Sequence, residues 1–281
     1  MNTIYGGREY NEDKSIFWQV IFVFVDYHVH LDKLDWNIET INDLTNVAKS
    51  KGVDSIGVVV HTKILSGFEP LYSHVFKDGQ NHKKLKFDKS IDEYLSLLEY
   101  AKKEGYPVLT GLEVCYAPEG EEFLKSKLGE YPYDFLIGSV HLIESRHFKT
   151  AVEFYGNTEM VGRMYYERVL KAARSGLFNI IGHIEIARRE GIPSLDYYPE
   201  LLDEICRELV KNNCAVEINT KWLTKRDYLV PDKTTLEYMF NAGVKVVFSS
   251  DAHHKGRIGY EKDKAISAIK AAGYESFSIV G

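Results

Sequence analysis

Short apolar runs recur along this chain, and each leads directly into a histidine or an acid. Residues 21–25 precede His28 and His30, and residues 56–60 precede His61. Residues 107–112 precede Glu113, residues 135–140 precede His141, and residues 180–182 precede His183. Residues 244–250 precede Asp251 and His253. Buried parallel strands read as continuous apolar runs. Parallel barrels bring all their strand ends to one face, and that face carries the active site. The pattern therefore constrains both the architecture and the place where chemistry happens.

Amphipathic stretches separate the runs. Helical spacing is expected over 38–51, 90–104, 119–128, 158–175, 198–211, 234–241 and 263–272. Strands are expected over 21–25, 55–60, 108–113, 134–140, 178–182, 215–218 and 244–249, with a last short strand at 277–280. Residues 62–88 read as a long polar loop and residues 142–156 as an irregular connection. Long loops in compact domains are usually functional. Strands alternating with helices imply an α/β fold with a parallel sheet, closed or nearly closed. No linker or repeat divides the chain, so one domain is expected over 21–281, preceded by an N-terminal extension over 1–20.

The bulk numbers narrow the function. The chain has 281 residues and a formal net charge of -6. An acidic balance without a basic stripe argues against nucleic acid as a partner. The apolar run over 16–25 is too short to span a bilayer, and no small-residue cleavage site follows it. No membrane association is expected. The cysteines are three, Cys115, Cys206 and Cys214, an odd count without zinc-ribbon spacing. That usage fits a reducing, cytoplasmic compartment. Cys115 reads as a packed thiol beside Glu113, not as a ligand. A homo-oligomer is compatible with all of this.

His28-Val29-His30 is H-x-H at a strand end, and Asp251-Ala252-His253 is D-x-H. A period of two puts both members of each pair on one side of a strand. Glu113 places a carboxylate where burial is costly unless it is paired or bound to a metal. Each residue alone has an ordinary reading as a satisfied core histidine, a cap or a surface acid. Asp35 alone reads as a loop acid or a helix N-terminal charge. Together, His28, His30, Asp35, His61, Glu113, His141, His183, Asp251 and His253 form a set suited to Zn, Mn or Fe. Nine ligands are too many for one ion, so two or three divalent metals are implied. His74, His82, His147 and His254 read as exposed loop residues. Arg188 and Arg189 follow the His183 run and could bind phosphate bidentately, against an ordinary reading as a solvated helix start. Arg163, Lys225 and Arg226 are weaker candidates of the same kind. Asn219 ends the 215–218 strand, so its amide is expected to face the site.

From Asp26 to the C-terminus, these motifs resemble the PHP (polymerase and histidinol phosphatase) superfamily. They are Asp26-Tyr27-His28-Val29-His30, His61, Gly111-Leu112-Glu113, Gly138-Ser139-Val140-His141, Gly182-His183 and Ser250-Asp251-Ala252-His253. Tyr165-Tyr166-Glu167, Arg188-Arg189 and Glu217-Ile218-Asn219-Thr220 make the chain most similar to the histidinol-phosphatase branch. The resemblance implies a distorted (β/α)7 barrel with a trinuclear metal site. One metal would take His28, His30, Glu113 and Asp251. A second would share Glu113 and take His141 and His183, and a third would take Asp35, His61 and His253. The implied reaction is hydrolysis of a small phosphorylated substrate, L-histidinol phosphate, by a metal-bound hydroxide, as a step of histidine biosynthesis. Glu113, Asp251 and His253 would be catalytic, and Arg188, Arg189, Arg163 and Asn219 would bind substrate. The chain departs from the branch at Val60, where an acid is common, and at Glu185, where Asp is more usual. The N-terminal extension has no counterpart. Rival readings are another phosphomonoester, a phosphodiester or nucleotide, a C–N bond, or a non-catalytic metal module.

Overall fold

The computed structural model describes residues 23–75, 85–223 and 228–281. The expected extension over 1–20, together with His82, Lys225 and Arg226, lies outside the described residues. Seven parallel strands form one sheet: β1 Val25–His30, β2 Ser55–Val59, β3 Val108–Cys115, β4 Phe135–Ser139, β7 Ile180–Ile181, β8 Ala215–Asn219 and β9 Val246–Ser249. They are hydrogen-bonded in the order β1-β2-β3-β4-β7-β8-β9. The two edges meet where β9 ends. His30 N donates to Ala252 O at 2.8 Å, and Ala252 N donates to His28 O at 3.0 Å. The sheet is therefore a nearly closed barrel, as expected.

The helices around it are α1 Ile38–Ser50, α2 Glu69–Val75, α3 Ile91–Lys103, α4 Glu121–Leu128, α5 Phe148–Tyr155, α6 Thr158–Ser175, α7 Pro199–Lys211, α8 Lys233–Asn241 and α9 Lys262–Ala272. Their starts follow local capping chemistry. Asn37, Ser90, Asn157 and Asp232 accept hydrogen bonds from first-turn backbone N–H groups of α1, α3, α6 and α8. Their apolar stripes pack on the outer face of the barrel, with Ile41, Leu44 and Ala48 of α1 and Tyr94 and Leu98 of α3 buried. Among the described residues, no helix is long and apolar enough to cross a membrane.

The barrel interior has two levels. Val25, Tyr27, Val59, Phe135, Ile137, Ile180, Ala215 and Val247 form an apolar plug, and the polar site lies above it. A β-bulge in β1 links them. Val25 and Asp26 pair with Ser55 and Ile56, but Val29 and His30 pair with Val58 and Val59. Two residues, Tyr27 and His28, thus lie opposite Gly57 alone. This re-aims the strand so that Tyr27 enters the plug while His28 and His30 enter the site. Gly57 makes room for it: a Cβ there would lie 2.9 Å from Tyr27 Cα and 2.6 Å from Phe135 Cζ.

Four expectations change. The span 62–88 is not all loop, because α2 Glu69–Val75 lies within it. Among the described residues the first strand runs over Val25–His30, beyond the expected end at Val25, so both histidines lie within it, while residues 21 and 22 lie outside the described residues. Apolar content marks only the part of a strand that lacks functional polar groups. Residues 142–156 are not irregular. They form an antiparallel hairpin, β5 Leu142–Ile143 with β6 Arg146–His147, and then α5, where Phe148 and Ala151 are buried at helical spacing. Residues 277–280 form no strand. The tail is held by isolated contacts instead: Ser278 N donates to Val246 O at 2.7 Å, and Tyr27 Oη accepts from Val280 N at 2.9 Å and donates to Val280 O at 3.0 Å.

Candidate metal centre

The site is built on the C-terminal ends of the strands. β1 carries His28 and His30, and β3 carries Glu113. His61 follows β2 and forms a parallel bridge with Glu113. His141, His183 and Asp251 each stand two residues past β4, β7 and β9. His183 and Asp251 hold left-handed backbone, with φ of 25° and 48°. Such backbone is costly for residues other than glycine and tends to persist at functional sites. Asp26 supports one of these turns. It accepts from Ser250 N at 2.9 Å, Ser250 Oγ at 2.5 Å and Gly259 N at 2.9 Å.

The Glu113 carboxylate is the centre of the array. Its Oε2 lies 3.4 Å from His28 Nε2, 3.4 Å from His30 Nε2 and 2.8 Å from His61 Nε2. Its Oε1 lies 3.4 Å from His141 Nε2 and 3.2 Å from His183 Nε2. His30 Nε2 is also 3.4 Å from Asp251 Oδ1. Ligands about 2.05 Å from one tetrahedral ion are separated from each other by about 3.3 Å. His28 Nε2 and His30 Nε2 are buried and make no hydrogen bond. Buried polar atoms are nearly always satisfied. Nitrogens that converge at this spacing without hydrogen bonds fit a set of cation donors.

Among the described residues, three groups bring ligand atoms within 4.8 Å of one another: His30, Asp32, His61 and His253; His28, His30 and Asp251; and His61, Glu113 and His141. The acid of the first group is Asp32. Its Oδ2 lies 3.0 Å from His30 Nδ1 and 2.5 Å from His61 Nδ1. Asp35, the residue expected there, is exposed on the loop before α1. The alternation His28, His30, Asp32 carried the signal, because a period of two continues one face past the strand.

The electrostatics favour charged carboxylates among rings pushed in both directions. Burial opposes ionisation of Glu113, but His61, His28 and the hydrogen-bonding His141 and His183 hold it well below the usual carboxylate range. Burial likewise opposes Asp251, and Lys221, His28 and His30 outweigh it. Burial lowers His141 to about 4. Burial, with His30 adding to it, lowers His253 to about 3. Both rings are neutral near pH 7 and keep a lone pair for a metal. His28 and His61 go the other way: burial lowers both, yet Glu217, Asp251 and Glu113 raise His28 well above the usual imidazole range, and Glu113 and Asp32 raise His61 to about 9.

The expected substrate residues are placed differently from one another. Asn219 is buried, and its Nδ2 donates to Glu217 Oε1 at 2.8 Å and Asp251 Oδ2 at 3.3 Å, so it braces acids of the site. Arg188 pairs with Asp232 at 3.0 Å and Glu185 at 3.4 Å. Arg189 lies between the rings of Phe148 and Trp222, 5.3 and 5.4 Å from their centroids, and 3.3 Å from Glu190. Arg163 does not join the cluster. It is exposed on α6 over the ring of Tyr198, because its position on the helix faces outward. His147 and His254 are exposed, as expected. Cys115 is buried and free.

Two residues of the site were assigned no role from the sequence. Lys221 Nζ lies 2.8 Å from Asp251 Oδ1 and 3.5 Å from His253 Nδ1. Glu217, wholly buried on β8, lies 2.8 Å from His28 Nδ1. Both share the strand face of Ala215 and Asn219, and that parity was the available signal.

Comparison with known proteins fits this geometry. The PHP domain family model matches residues 26–221. A probable histidinol-phosphatase of Deinococcus radiodurans is 30% identical over 193 residues, covering 65% of this chain and 73% of that protein. The histidinol-phosphatase of Bacillus subtilis is 25% identical over 255 residues, covering 79% of this chain and 90% of that protein. Among solved structures, histidinol phosphate phosphatase from Lactococcus lactis, complexed with zinc, L-histidinol and phosphate, has the same fold. It superposes with a TM-score of 0.71 at 20% identity, over 92% of this chain and 97% of that chain. A family match from the first site strand to the second residue after β8, on a barrel whose strand ends converge on Glu113, means that this chain belongs to the PHP domain family.

Proposed function

We propose that this protein is a metal-dependent phosphomonoesterase that hydrolyses L-histidinol phosphate to L-histidinol and phosphate, in the cytoplasm and as a step of histidine biosynthesis. The observation that carries this reading is the Glu113 carboxylate with imidazole nitrogens facing both of its oxygens. The similarity to histidinol-phosphatases supports the substrate. Three buried free thiols suit a reducing compartment.

The residues that would hold two or three divalent ions are His28, His30, Asp32, His61, Glu113, His141, His183, Asp251 and His253, with zinc the first choice and Mn or Fe the others. Bound there, such ions would supply positive charge to the phosphoryl oxygens and acidify a water. The chain itself does the rest. Glu113 spans the centre, one oxygen toward His28, His30 and His61 and the other toward His141 and His183, and so sets the spacing of the whole array. Asp251 is braced on both oxygens, by Lys221 and Asn219, and cannot swing away. Lys221 is one-third exposed at the open side of the cluster and offers a cation to a phosphate dianion. His253 is also partly open, and as a neutral ring beside Asp251 it keeps a lone pair for an ion at that end of the cluster. Arg189, held between two rings beside the hairpin, gives a second cation for the substrate.

The test is phosphate release from L-histidinol phosphate by metal-replete protein, beside a chelator-treated sample and His28→Ala. Release that the chelator and the substitution both abolish is expected. Metal-loaded protein that leaves this substrate intact but cleaves another phosphomonoester or a diester would refute the substrate.

A further inference from the structure

We propose that Glu217 is a positioning residue that fixes the tautomer of His28, so that the ring proton sits on Nδ1 and Nε2 faces Glu113 as a free donor. This rests on the reading of the cluster as a metal centre. Both oxygens of Glu217 are committed. Oε2 lies 2.8 Å from His28 Nδ1. Oε1 accepts from His183 N at 2.6 Å and from Asn219 Nδ2 at 2.8 Å. The orientation of the Asn219 amide is set independently, because its Oδ1 accepts from Lys221 N at 3.0 Å. The carboxylate therefore cannot rotate, and its one remaining role at Oε2 is to accept from His28. With the proton on Nδ1, Nε2 is left with a lone pair. That atom is buried, makes no hydrogen bond, and lies 3.4 Å from Glu113 Oε2.

The same side chain serves a second ligand. His183 holds φ of 25°, and its amide is anchored by Glu217 Oε1. One buried acid on β8 thus orients a ring on β1 and a turn after β7. Partners of this kind fix the orientation and basicity of metal-binding histidines, and their loss typically lowers metal affinity 10- to 100-fold.

Glu217→Gln isolates the effect, because an amide has one accepting oxygen and two N–H donors. If that oxygen stays with His183 and Asn219, the NH2 group meets His28 Nδ1. That nitrogen must then accept, which moves the ring proton to Nε2 and blocks it as a donor. If the amide flips, its NH2 group meets two N–H donors instead. Either arrangement weakens the site.

The experiment is zinc affinity and stoichiometry of wild type and Glu217→Gln by competition with a chelating dye, together with nitrogen NMR of histidine-labelled, zinc-loaded wild type. We expect affinity about 10- to 100-fold lower in the variant for at least one ion, and a His28 proton on Nδ1 with none on Nε2. Unchanged affinity in a folded variant, or a His28 proton on Nε2, would overturn the inference. The wild-type spectrum decides alone if the variant does not fold. Wild type that takes up no zinc would overturn the metal-centre reading as well, and that result is distinct from wild type and variant binding zinc equally.

Discussion

Gly57→Ala tests whether the bulge in β1 sets the geometry of the site. The new Cβ would meet Phe135 Cζ at 2.6 Å, Tyr27 O at 2.8 Å and Tyr27 Cα at 2.9 Å. Two of these atoms are backbone, and Phe135 is buried in the barrel plug, so no flexible side chain can give way. Ordinary carbon contacts begin near 3.5 Å. Restoring one requires β1 to retreat from β2 by about 0.6 Å, beyond the roughly 0.5 Å within which a working site must be held. His28 is the next residue along and moves with the bulge. Overpacking of this kind costs about 1–3 kcal/mol. For a chain of this size each kcal/mol lowers Tm by roughly 2–4 °C. Gly129→Ala is the control, because its Cβ would meet nothing closer than 3.6 Å. It should stay within about 0.5 kcal/mol of wild type. Urea and thermal melts measure stability, and dye competition measures zinc affinity. Gly57→Ala that melts with the control and binds zinc like wild type would refute the reasoning.

Asp32→Asn is expected to weaken zinc binding about 10-fold or more, while Asp35→Asn leaves it unchanged; equal effects of the two would restore Asp35 to the cluster. Glu185→Gln is expected to destabilise by about 1–3 kcal/mol in chemical denaturation. Its carboxylate is fully buried and accepts from Leu195 N, Asp232 N and Thr235 Oγ1, so an amide NH2 would face a donor; a melt identical to wild type would show that the network does not depend on the acid. Burial pushes the Cys115, Cys206 and Cys214 thiols up to about 12. At pH 8 they remain protonated and covered, so a disulfide reagent should label none of them before unfolding and all three after it; rapid labelling of native protein would contradict this.

The order of strands and helices was legible because it rests on local chemistry. Strands buried on both faces leave apolar runs, and the helix starts at Asn37, Ser90 and Asn157 carry their own caps. The candidate ligands were legible for a related reason. A histidine or acid just past an apolar run is conspicuous, and a barrel leaves one place for such residues to go. Illegible were the features that depend on a partner across the barrel. The bulge at Tyr27 and His28 is defined by its register against Gly57, and a glycine in a strand does not announce what lies opposite. Hairpin β5–β6 and α5 went unread because two-residue strands are shorter than any periodic pattern. Asp32 and Asp35 are both acids in one loop. Strand parity favours the first, the family resemblance implied the second, and the backbone turn after Leu31 brings only Asp32 to His30 and His61. Glu217 is the sharpest case. In sequence it is a lone acid inside a strand, which ordinarily marks an exposed face. Its wholly buried carboxylate makes sense only once His28, His183 and Asn219, from two other strand ends and its own, supply a donor to each of its oxygens. Ligands can be found by residue type, but the groups that aim them are found only through the closed barrel that sets them face to face.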